Sequence, residues 1–121
     1  MASAVTVTET RHTTVNEIVF DWLSHTDGVV TGVASTYYYD GQILGVLFVP
    51  DTAGTAPDDL YDVTLADRNG NDLLFGQGAN LSGTNSVAVL SNLGQVVEST
   101  LTCAVTGAGS ANGGIVYVYI R

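Results

Sequence analysis

Apolar and polar residues alternate with a period of two along most of this chain, and a helical period is nearly absent. In residues 14–23, Ile18, Phe20 and Trp22 share one face while Val15, Glu17, Val19 and Asp21 share the other. That pattern predicts a strand with the three large side chains directed at the core. The turn Thr26-Asp27-Gly28 precedes a second strand, expected over 29–38. Asp40-Gly41 reads as a hairpin turn into a third, 43–49. Residues 50–57 carry proline at both ends of a small-residue loop. Further strands are expected over 60–66 and, after an Asn69-Gly70 turn, over 72–75. Beyond the irregular glycine-rich stretch 76–85 come a short strand or helical turn at 87–90, a turn at 92–94, a long strand over 96–106, a hairpin loop at 107–114 and a last strand over 115–120.

About eight strands at this spacing predict an all-β fold: a single-domain antiparallel β-sandwich, jelly-roll-like, over residues 16–121. Residues 1–15 are expected to form an extended N-terminal arm. There Val5 and Val7 alternate with threonines, so the arm is suited to adding a strand to a neighbour. The last strand is apolar on both faces, with Tyr117 and Tyr119 on one of them, which suits a central position or a subunit interface.

Charge narrows the function. Of 121 residues only 12% are charged, against roughly 25% in an average soluble domain. There is no lysine, and three arginines stand against twelve carboxylates for a net charge of −9. This excess repels nucleic acid and argues against a polybasic membrane contact. So few charges, with no lysine to guard sheet edges, predict a homo-oligomer. The N-terminus has neither the basic start nor the apolar core of a signal peptide, so synthesis in the cytoplasm without secretion is expected.

Candidate chemistry is sparse. Asp67, Asn69, Asn71 and Asp72 suggest a calcium loop, but counting from Asp67 glycine stands fourth and twelfth, where the EF-hand pattern needs it sixth with glutamate twelfth. A hairpin turn accounts for the same residues. Ser24, His25 and Asp21 cannot converge from one strand into a triad, and two histidines without a spacing relation do not make a zinc site. Cys103 alternates with Leu101 and Val105 and reads as a buried hydrophobe rather than a reactive thiol. No enzyme, cofactor or metal is expected. Tyr37 and Tyr39, on one face of a strand with Tyr38 on the other, suit the core or a subunit contact, with sugar stacking as the rival use.

Taken in order, Trp22, Asp27-Gly28, residues 41–50 (GQILGVLFVP), 56–65 (APDDLYDVTL), 67–72 and 76–82 (GQGANLS) resemble a family of small virion structural proteins of tailed bacteriophages, over about residues 16–121, nearly the full chain. The resemblance implies a capsid decoration or cement protein, a trimer at symmetry axes on the outer capsid surface, with the major capsid protein as its partner. The alternatives are a tail or fibre accessory protein, carbohydrate-binding in one version, and a head–tail joint component. The residues expected at interfaces are Val5, Val7, Tyr37, Tyr39, Gly76, Gly78, Asn80, Tyr117 and Tyr119.

Overall fold

The computed structural model describes residues 3–121, which form nine strands and one short 3-10 turn. The strands are β1 (Ala4–Arg11), β2 (Asn16–Leu23), β3 (Val30–Ala34), β4 (Tyr39–Pro50), β5 (Asp62–Ala66), β6 (Val87–Val89), β7 (Gln95–Ser99), β8 (Thr102–Thr106) and β9 (Gly113–Ile120). They pair antiparallel into two sheets. The larger runs β1-β2-β9-β4-β6, with β7 also on β4, and the smaller runs β3-β8-β5. From β2 to β5 the chain alternates between the sheets, and it does so again from β7 to β9. The all-β sandwich is the fold the sequence pattern predicts; its strand order, which a period of two does not encode, is jelly-roll-like with β1 added outside β2.

The core lies between the sheets. Ile18, Phe20 and Trp22 of β2 are buried, beside Val46 and Phe48 of β4 and Val116, Val118 and Ile120 of β9. The smaller sheet contributes Val63, Leu65, Cys103 and Val105. Trp22 and Tyr61 meet across the gap with ring centroids 5.6 Å apart. The indole lies over Gly114, its cross-strand partner, where a Cβ would come within 2.9 Å of the ring.

Several expectations are corrected. The arm proves, from Ala4 to Arg11, to be a strand of the protein's own sheet, matched residue for residue with β2; residues 1 and 2 lie outside the described part. The strand expected over 29–38 stops at Ala34, where the Ser35 hydroxyl donates to Tyr37 O at 3.0 Å and accepts from Leu101 N at 3.0 Å, turning the chain. Asp40-Gly41 is no hairpin: β4 continues through it, with a register shift against β7 between Tyr39 and Gly41. Gly41 takes φ +137°, and a Cβ there would meet Arg121 O at 2.7 Å. The long strand at 96–106 divides into β7 and β8, which belong to different sheets. The return strand at 72–75 is reduced to one bridge, Ala66 to Asp72, and the rest of 72–81 lies as turns along β5.

Candidate interaction surfaces

The outer face of the larger sheet is assembled by its registers. One row across β4, β9, β2 and β1 reads Val49, Ile115, Asp21, Thr6. The next reads Leu47, Tyr117, Val19, Thr8, with Ala88 of β6 beyond Leu47. The third reads Gly45, Tyr119, Glu17, Thr10. Apolar and tyrosine side chains thus gather on β4 and β9, with Val19 continuing them, while threonines line β1. Leu44 and Leu90 extend the strip at the far side, Leu90 folding over Gly45 and standing 76% exposed. Two strands wide and three rows long, with Val19 beside it and Asp21 and Glu17 flanking it on β2, the strip covers roughly 200 Å². Burial and then a hydrogen bond to Glu17 raise the Tyr119 phenol above its ordinary value.

The expected interface residues fall in different places. Tyr117 and Tyr119 are half-buried in this outer face. Val5 and Val7 point the other way, half-buried against the core beneath β1. Tyr37 and Tyr39, expected on one face, are parted by the bend at 35–38. Tyr37 is exposed, with the Arg11 guanidinium 5.0 Å above its ring, whereas Tyr39 is buried. A sugar platform made of both rings is therefore absent. Gly76 and Asn80 are exposed in the turns along β5. Gly78 is buried there, and a Cβ on it would collide with Val63 O. Leu47, Val49, Val19 and Ile115 were not singled out from sequence. The signal was present, because each is the outward apolar residue of a strand whose inward face is also apolar, but only the register shows that they adjoin.

Glu9 joins β1 to the bend. Its carboxylate accepts the N–H groups of Thr36 and Tyr37 at 2.9 and 3.0 Å, and the Tyr39 hydroxyl at 2.7 Å. Burial by itself would raise the Glu9 pKa, but these donors outweigh it and hold the carboxyl below its ordinary 4.5. A group whose folded pKa is depressed contributes stability above its unfolded value and loses it as pH falls through the folded one. Glu9→Gln is expected to cost about 1 kcal/mol at pH 7, and less as pH drops below 4.5. Urea unfolding at pH 7 and pH 3 checks this; an equal cost at both would refute it.

The other polar residues are engaged in structure. The Ser24 hydroxyl donates to Gly109 O at 2.8 Å and accepts from Asn112 N at 3.1 Å, while Asp21 lies on the outer face of the sheet. Asp67 accepts from Asn69 N and Asn71 N, and these donors, that of Asn71 foremost, lower its pKa. Asp72 accepts from Leu65 N, Leu74 N and Gly76 N. Burial pushes the Cys103 thiol up to about 12. Among the described residues no group of three or more His, Cys, Asp and Glu is placed to hold a metal ion. Comparison with protein-family models, curated proteins and solved structures finds no match to this chain.

Proposed function

We propose that this chain is a virion structural protein of a tailed bacteriophage that decorates and cements the assembled capsid shell as a homotrimer. The observation that carries the reading is the outer sheet face, a regular surface with an apolar, tyrosine-lined middle on a molecule of net charge −9. The β4–β9 part of this face gains by docking, since it carries no charge and the carboxylates of Asp21 and Glu17 flank it on β2. The acidic remainder keeps the unbound protein soluble at high local concentration. The motif resemblance supplies the rest of the reading: the major capsid protein as partner and the outer capsid surface as location.

Cementing needs no catalysis and no cofactor. A protein that binds the assembled shell and not its separated subunits stabilises the shell by mass action. The test is the ratio of this protein to the major capsid protein in purified particles. Decoration predicts on the order of hundreds of copies, a head–tail joint ring about six or twelve by its symmetry. Hundreds are expected, with shells stripped of the protein breaking at lower temperature. A handful of copies overturns the proposal.

A further inference from the structure

β1 forms a free edge of the larger sheet. One side of Ala4–Arg11 pairs with β2 in eight consecutive matches without a bulge, and no strand of the chain pairs with its other side among the described residues. Such an edge presents unpaired N–H and C=O groups, which proteins usually guard with lysine, proline, a bulge or an inward charge. β1 has no lysine, proline or bulge. Its two charges, Glu9 and Arg11, stand at one end, where Glu9 binds the bend at 36–37 and Arg11 stacks on Tyr37. Residues 4–8 are left regular, uncharged and unguarded. Val5 and Val7 within them face the core side yet remain only half-buried.

We propose that residues 4–8 pair with the same segment of a second copy of this chain, antiparallel about a two-fold axis at Thr6. Composition selects that register. About Thr6, each Val5 meets Val7 of the second copy, Ala4 meets Thr8, and Thr6 meets itself. Valines then complete each other's burial on the inner face, and small residues and threonines match on the outer one. An axis at Val7 sets Glu9 against Val5. One at Thr8 sets Glu9 against Val7 and Arg11 against Val5. The centre of the unguarded segment is thus also the centre of its best self-match, and no charge opposes a like charge there. The contact is isologous and joins two larger sheets edge to edge. It rests on the strand alone and is separate from the three-fold contact of the proposed trimer.

Cross-linking of the full chain tests the pairing. Directly opposite residues hold their Cβ atoms about 4.5–5.5 Å apart, within a small movement of disulfide geometry. Thr6→Cys is therefore expected to give a covalent dimer under mild oxidation, and Thr10→Cys, exposed on the same strand face but off the axis, is not. Cys103 is common to both and buried. Thr6→Lys opposes two ammonium groups across the axis while giving each lysine Asp21 of its own β2 as a neighbour. It should weaken self-association several-fold in sedimentation while leaving the far-UV circular dichroism spectrum of the folded chain unchanged. Equal cross-linking of the two cysteine variants overturns the pairing. So does a Thr6→Lys chain that associates as tightly as the parent, or a Thr6→Cys chain that cross-links to a shell protein and not to itself. Shell binding at full copy number by a chain that does not pair would remove this contact and leave the decoration reading intact. Normal pairing with a handful of copies per particle would uphold the contact and sink that reading.

Discussion

Trp22→Ala is expected to destabilise the protein by about 4 kcal/mol, the range for truncating a large buried aromatic. Trp22 is the chain's one tryptophan and is 2% exposed. It projects from β2 towards the smaller sheet, where Tyr61 stands just before β5, and the flat face of Gly114 leaves the space it fills. Alanine would open a cavity between the sheets that neither backbone can close, because both are held by their ladders. Burial pushes the Tyr61 phenol up to about 12, and this ring would lose its aromatic neighbour. Against a total of about 5–15 kcal/mol for a domain, the loss leaves the variant marginal. Its melting temperature should fall by roughly 15 °C. Trp22→Phe keeps part of the volume and should cost about half as much. Far-UV circular dichroism in urea is the suitable probe, since the substitution removes the tryptophan fluorescence. A Trp22→Ala chain within 1 kcal/mol of the parent would refute this account of the core.

Gly78→Ala is the second large effect, expected at about 3 kcal/mol. Gly78 lies in the turns that run along β5, with its carbonyl accepting Val63 N at 2.8 Å. An added methyl would strike Val63 O and approach Leu74 Cδ1 to 2.9 Å. The leucine can rotate, but the carbonyl belongs to a strand and cannot. Residues 76–80 would have to lift from β5, breaking the Val63–Gly78 bond and uncovering the edge of the smaller sheet. Gly76→Ala provides the contrast. No atom lies within 4 Å of its added Cβ, so only its left-handed φ of +81° opposes the change, at about 1 kcal/mol. Thermal unfolding of both variants separates packing from backbone conformation. If Gly76→Ala is the more damaged, the packing role of Gly78 is wrong.

These two glycines show where sequence reading stops. Both stand in the segment GQG and looked equivalent as contact candidates, yet one is exposed and the other is pressed against β5. The same limit parts Tyr37 from Tyr39. Their spacing of two fits one strand face, but Ser35 ties the chain to Leu101, 66 residues away, and bends it between them. At 96–106 the β-forming run is continuous in composition, yet its halves find partners in different sheets. The break comes at Ser99, whose hydroxyl accepts Arg68 N at 2.8 Å. In each case a contact distant in sequence overrode a correct local preference.

The order of residues alone carries whatever a period of two can encode. It gave the all-β class, the sandwich, the inward set Ile18, Phe20 and Trp22, and the shortage of charge with no cation but arginine. These are local properties of side chains on a pleated backbone. Folding alone settles which outward residues adjoin, because strand register is fixed by pairing between distant segments. It brought Leu47, Tyr117 and Val19 into one row, and it laid Ala4–Arg11 along β2 instead of leaving it as an arm. Alternation tells each residue which side of its strand it occupies, and only pairing tells it which neighbours share that side.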